Sequence, residues 1–224
     1  ADVVCAVYSP DGHDTTALKA ALAETGRRAL FVETDVSQTT SIDNLVAEAL
    51  REFGRVDIAL ANAAIVRRCA SPELDDAVWE RTLDVNLQGV WRLFRAALPD
   101  MLARGEGRLL ATASTVGAYE AWPEHIHYAA AKAGIVGMVR SLAAEVGPKG
   151  VTVNAIAPGI IETPQTLDSV NSLGKAGIEL TGQQQPIRRI GRPEDIAATF
   201  HYLASAEASF VTGQCLLVDG GRLL

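Results

Sequence analysis

Cysteine is scarce: Cys5, Cys69 and Cys215 are too few and too scattered for a disulfide framework or a Cys/His metal set. They read as small buried apolar side chains in a reducing compartment. The four histidines, His13, His125, His127 and His201, show no ligand spacing either, so no metal is expected. No apolar run approaches the roughly 18 residues that cross a bilayer. The opening residues also lack a basic stretch followed by an apolar one, so neither a membrane span nor a signal peptide is expected. A cytoplasmic protein is the expectation. A basic surplus is missing as well, and a formal net charge of −7 leaves no extended surface for nucleic acid. Linkers, internal repeats and low-complexity tracts are absent, which leaves residues 1–224 as a single domain.

What is present is a strict alternation. Nearly continuous apolar runs at 3–8, 29–33, 56–61, 108–113, 151–157 and 214–218 suit parallel strands buried on both faces. Helical periodicity fills 15–25, 41–53, 72–104, 127–146 and 193–205. Ser71-Pro72-Glu73 reads as a helix start, Pro99 as a kink and Gly105 as a stop. Gly191-Arg192-Pro193-Glu194 starts the last helix in the same style. The fold class is α/β, a doubly wound and mostly parallel sheet. Residues 164–191, rich in Gln, Ser, Gly and Thr, read as an irregular flap, and a long loop of that kind is more often functional than accidental.

Tyr128-Ala-Ala-Ala-Lys132 puts a phenol and an ammonium on one helix face. A free phenol has a pKa of about 10, and a nearby cation stabilises the phenolate and draws the value towards neutrality. Lysine on a helix is by itself usually a solvated charge. Ser114 ends a buried strand 14 residues earlier, beyond a carboxyl strand end, where ligands of such sheets bind. Taken alone it would equally be a turn cap.

In an ordered series these residues and others resemble the short-chain dehydrogenase/reductase family over essentially the whole chain. Asp35-Val36 resembles the acidic pair that holds the adenine. Ala61-Asn62-Ala63-Ala64 resembles the family's Asn-Asn-Ala-Gly turn beside the cofactor, with alanine at its first and last positions. Val85-Asn86-Leu87 is similar to the segment whose Asn completes a proton relay through water. Ser114, Tyr128 and Lys132 match the remaining catalytic positions. Pro158-Gly159-Ile160-Ile161-Glu162-Thr163 resembles the segment that fixes the nicotinamide, with Thr163 reaching the carboxamide. Residues 187–194 and 211–221 match C-terminal landmarks. The resemblance implies a Rossmann-like fold and hydride transfer between a nicotinamide cofactor and a ketone or secondary alcohol. Tyr128 would be the proton donor or acceptor, Lys132 would hold the nicotinamide ribose, and Ser114 would orient the substrate oxygen. It also implies a homotetramer or homodimer built on the helices at 72–104 and 127–146.

One departure is large. No glycine-rich phosphate loop follows a strand, and residues 3–8 align with the family's second strand. In the implied strand order, 3-2-1-4-5-6-7, the first strand lies between 3–8 and 56–61. A gap is expected there, with no independent folding of these residues and no fully bound dinucleotide. Two rival readings are a halohydrin dehalogenase-like relative and a catalytically silent binding protein. Lys132 and Pro158-Gly159 speak against the first, and the retained catalytic side chains against the second. No Lys or Arg occurs in residues 1–18 while Asp11 and Asp14 stand near the ribose-reading position, which favours NAD over NADP. Trp122 and the aliphatic flap residues suggest an apolar substrate, whereas Glu120, Glu124, His125 and His127 read as a solvated turn.

Overall fold

The computed structural model describes residues 1–8 and 14–224. Six strands appear in it: β1 (Val3–Val7), β2 (Ala29–Glu33), β3 (Ile58–Ala61), β4 (Gly107–Thr112), β5 (Val151–Pro158) and β6 (Cys215–Val218). Between them run α1 (Thr16–Glu24), α2 (Thr39–Phe53), α3 (Asp76–Leu83), α4 (Gly89–Arg104), the single turn α5 (Thr115–Ala118) and α6 (Ile126–Val146). The flap carries α7 (Pro164–Leu167) and α8 (Gly174–Gln184), and α9 (Pro193–Ala204) precedes the last strand. Every strand pair is parallel, so each crossover needs a helix, and the result is a single Rossmann-like domain.

The central strand β5 is buried along almost its whole length, as its unbroken apolar run requires. On one face of the sheet, Phe94 and Met101 of α4 and Ile135 and Val139 of α6 close over Leu109, Ala111 and Val153. On the other, Phe200 and Leu203 of α9 cover Leu110 and Ile156. Each large aliphatic or aromatic side chain so buried contributes about 1.5–3 kcal/mol.

The strands form two sheets rather than one. β1 pairs only with β2, while β3, β4, β5 and β6 form a separate four-stranded sheet. Among the described residues no strand lies between β1 and β3. A cavity of about 580 Å³ occupies that place, lined by Val4 and Ala6 on one side, Ile58 and Leu60 on the other, and Leu45 and Leu93 above. The β1–β2 pair is carried instead by α2, whose Ile42 and Leu45 pack towards Leu93 and Ala96 of α4. Ile58 and Leu60 are 39% and 43% exposed, since α9 reaches β4 and β5 but leaves this face of β3 uncovered.

Two expected elements differ. The helix expected over 72–104 is broken once, before Asp76, and changes its hydrogen-bond pairing once, at 84–88. Leu74 is extended, Asp75 caps α3 by accepting the Val78 N–H at 2.8 Å, and Asp84–Gln88 forms a π-turn before α4. The break follows from the cap, because Asp75 satisfies an orphan amide that Ser71 does not reach. Pro99 lies inside α4 without ending it, whereas Gly105 stops it at φ +69° as expected. The flap expected to be irregular holds α7 and α8. Thr163 caps α7 with Pro164 at the first helical position, an arrangement suited to a helix start.

Candidate active site

β4 delivers Ser114 to the carboxyl edge of the sheet, and α6 presents Tyr128 and Lys132 from its first two turns. All three line one cavity of about 850 Å³ together with Asn62, Ala63, Pro158, Gly159, Ile161 and Thr163. Ser114 Oγ accepts the Val116 N–H at 3.2 Å, as a turn cap does, and its hydroxyl also interacts with the Tyr128 phenol. Burial pushes the phenol above its ordinary range, and Ser114 acts in the opposite direction. Lys132 is 2% exposed. Its Nζ lies 5.6 Å from the centre of the Tyr128 ring and donates to the Thr112 carbonyl at 2.7 Å. Burial lowers the ammonium to about 8, so it stays mostly charged at neutral pH while titrating close to it.

Thr112 was not legible as a site residue. Besides holding Lys132 through its carbonyl, its hydroxyl donates to Asn62 Oδ1 at 2.7 Å. On the far wall Gly159 lies so close to Asp219 that a Cβ would meet the Asp219 Cβ at 2.7 Å. Only glycine fits there. Thr163 is occupied as the cap of α7, its Oγ1 accepting the Thr166 N–H at 3.3 Å.

Asp35 and Val36 line a second cavity of about 440 Å³ with Tyr8, Arg81 and Val85, and Ala63 and Ala64 border both cavities. Burial raises the Asp35 carboxyl, but hydrogen bonds from the hydroxyl and N–H of Ser37 outweigh it and keep the group below the usual range. Asn86 is fully buried in the π-turn. Its side chain accepts from the Ile65 N–H and donates to the Ile65 carbonyl, both at 2.8 Å. It braces the loop after β3, so its side chain does not face a cavity. Asp11 and His13 lie outside the described residues.

The solvated turn expected at 120–127 is a correction. His127 is fully buried, His125 is 5% exposed, and the Glu120 side chain is 13% exposed. For Glu120 the cause is a partner 102 residues away: Arg222, from the C-terminal tail, donates to Glu120 Oε1. Burial raises the Glu120 carboxyl, yet hydrogen bonds from Arg222, Thr115 and Trp122 hold it below the usual range. This carboxylate therefore ties the residue next to Ser114, one cavity wall and the tail together. Because its folded value is depressed, its contribution is present above the ordinary glutamate pKa of about 4.3 and is lost as pH falls below it. Glu120→Gln is expected to cost about 1.5–3 kcal/mol at neutral pH and to flatten the acid limb of stability. Urea unfolding at pH 7 and pH 3.5 measures both, and an unchanged midpoint at pH 7 would contradict the assignment.

A family model described as enoyl-(acyl carrier protein) reductase matches residues 1–222. The short-chain dehydrogenase/reductase eriH of Hericium erinaceus is 39% identical over 213 residues, covering 93% of this chain and 81% of that protein. The 3beta-hydroxysteroid dehydrogenase 1 of Eggerthella lenta is 37% identical over 221 residues, 99% of this chain and 84% of that one. Among solved structures, a short-chain type dehydrogenase/reductase from Mycobacterium marinum superposes with a TM-score of 0.89 at 30% identity, covering 99% of this chain and 85% of that one. The chain belongs to the short-chain dehydrogenase/reductase family, whose oxidoreductases generally use NAD or NADP. No helix among the described residues is long and apolar enough to cross a membrane.

Proposed function

We propose that this chain is an NAD(P)-dependent oxidoreductase that interconverts a neutral, apolar ketone and its secondary alcohol. The observation that carries the reading is the convergence of Ser114, Tyr128 and Lys132 at the head of one cavity. Two adjoining cavities that share Ala63 and Ala64 fit the two ends of a dinucleotide. Asp35, Val36 and Ala63 would hold the adenine end. Asn62, Pro158, Gly159, Ile161 and Thr163, with Tyr128 and Lys132, would hold the nicotinamide end. When bound, the cofactor supplies or accepts the hydride.

The chain's own residues then have separate tasks. Ser114 donates to the substrate oxygen and orients it. Tyr128 gives its phenolic proton to that oxygen in reduction and takes it back in oxidation. Lys132, fixed by Thr112, places a positive charge where the phenolate would form. The water relay that the resemblance assigns to Asn86 would run to solvent from the π-turn. Val66, Trp122 and Ile160 give the cavity apolar walls.

Substrate class follows from the lining. Lys132 is the one Lys, Arg, Asp or Glu among the described lining residues, so away from Lys132 a charged group on the substrate would meet no ionic partner. The relative from Eggerthella lenta is named for a hydroxysteroid, an alicyclic secondary alcohol of that kind. Turnover of a panel of alicyclic ketones, read by loss of reduced nicotinamide absorbance, tests the proposal. Activity confined to keto acids would overturn it.

NAD is the proposed cofactor. Of the two arginines bordering the adenine-side cavity, Arg81 donates to Ser37 Oγ at 2.6 Å, and Arg67 to the carbonyl of Val66 at 2.9 Å. Each keeps further N–H groups, so the preference for NAD rests on the absence of Lys and Arg from residues 1–18. Catalytic efficiency with NADH is expected to exceed that with NADPH by about tenfold or more, roughly 1.4 kcal/mol. A preference for NADPH would defeat this. A dimer or tetramer through α4 and α6 belongs to the same proposal, and Trp91 of α4, half exposed under Arg95, suits a contact face.

A further inference from the structure

The roof of the substrate cavity is stitched from three segments distant in sequence: the loop after β3, the turn before α6 and the flap. The Cys69 N–H donates to the Glu124 carbonyl at 2.9 Å, and Arg68 pairs with the Glu124 carboxylate. The Arg68 N–H reaches Asn171 Oδ1 of the flap at 3.3 Å. Glu124 takes up φ +64°, the one non-glycine residue with positive φ among those described, so this turn is held against a backbone preference. At its centre sits His125. Its Nδ1 faces the Pro123 carbonyl at 2.8 Å and its Nε2 faces the Asn171 carbonyl of the flap at 3.2 Å. The Trp122 ring meets it edge-on, with centroids 5.6 Å apart at 75°. Trp122 and Ser172, on either side of this junction, both line the cavity.

Carbonyl oxygens only accept. A neutral imidazole has one N–H, so it can satisfy one of these carbonyls and must turn a lone pair towards the other. The imidazolium donates to both, and hydrogen bonds from a charged donor are about twice as strong as neutral ones. We propose that His125 is a positioning residue whose protonated form latches the flap to the Trp122 wall, so that substrate retention depends on its charge. It rests on the reading of this cavity as the substrate site.

The surrounding charges are balanced. Arg67 and Arg68 on the loop after β3 oppose the added proton, while Glu124 on the turn and Asp168 on the flap favour it. Glu124 pairs with Arg68, and Asp168 accepts from Asn171 Nδ2 at 2.8 Å. At the start of α6, burial and then the proximity of His125 push His127 below the usual histidine range, against a hydrogen bond with the Arg67 backbone. When the added proton is lost, one of the two bonds goes with it and the flap loosens.

The test separates retention from chemistry. With a neutral alicyclic ketone, which does not itself titrate, wild-type KM is expected to rise about three- to tenfold from pH 6 to pH 8, one hydrogen bond's worth, while the kcat profile, which follows Lys132 near 8, is the same in wild type and variants. His125→Phe keeps a ring against Trp122 but removes both bonds, so its KM should be raised and flat with pH. His125→Gln, neutral throughout, serves if the first variant fails to fold, and should also be flat. A wild-type KM that does not change over this range, or variants that keep its pH dependence, would overturn the proposal. An independent reading needs no turnover. Trypsin cleavage after the exposed flap residue Lys175 should be faster in His125→Phe than in wild type by about tenfold at pH 6 and by clearly less at pH 8. Equal ratios at both pH values would sink the latch. Absence of any turnover alongside the expected ratios would instead overturn the functional reading alone.

Discussion

Replacing Tyr128 with phenylalanine is expected to lower kcat by about 10²–10⁴-fold, the usual scale of a lost acid–base group, while the thermal midpoint stays within a few degrees. The phenol opens onto the cavity and its hydroxyl interacts with Ser114 alone, so the substitution removes a proton carrier without leaving a buried group stranded. The ring remains to pack beneath Lys132. Steady-state kinetics and calorimetry on the same preparation check the two halves. Activity above a few per cent of wild type would mean that the proton comes from elsewhere. Lys132 is the nearest alternative, and a pH profile centred near 8 would expose it.

A comparably large effect concerns the space between the two sheets. The 224 residues by themselves are expected to unfold over a broad range and to bind a hydrophobic dye such as ANS. β1 and β3 present facing edges to a cavity of about 580 Å³, and Ile58 and Leu60 lie bare on the face of β3 that α9 does not reach. A backbone amide or carbonyl buried without a partner costs about 1–3 kcal/mol, and a whole domain is stable by only about 5–15 kcal/mol. The geometry asks for a parallel strand in the slot followed by a helix over Ile58 and Leu60. Supplying such a segment is expected to sharpen the transition and abolish dye binding. A sharp, dye-free transition of the 224 residues alone would show that the sheet tolerates the split.

Much of this arrangement is readable in the residues, for local reasons. Buried parallel strands announce themselves as unbroken apolar runs, and β5 is the clearest case. Tyr128 and Lys132 share a face because four residues make about one helical turn, and Ser114 is marked as the polar end of an apolar strand. What was not readable depends on partners distant in sequence, or on backbone detail without a composition. The π-turn at Asp84–Gln88 looks like ordinary helix, since Val85 and Leu87 fit either form. Helix α8 hides behind Gly174, Gly177 and Gly182, residues that argue for a loop. Glu120 and His125 look solvated until Arg222 and Asn171 are brought to them.

Thr112 acts as a covalent ruler for the site. From one residue, the carbonyl fixes the Lys132 ammonium and the hydroxyl fixes the Asn62 amide. Lys132 and Asn62 are thus tied to each other through two hydrogen bonds, one at each end of a single threonine. Valine has nearly the same shape and would keep the lysine anchored while freeing the amide, so the two ends of this gauge can be uncoupled without disturbing the strand that carries it.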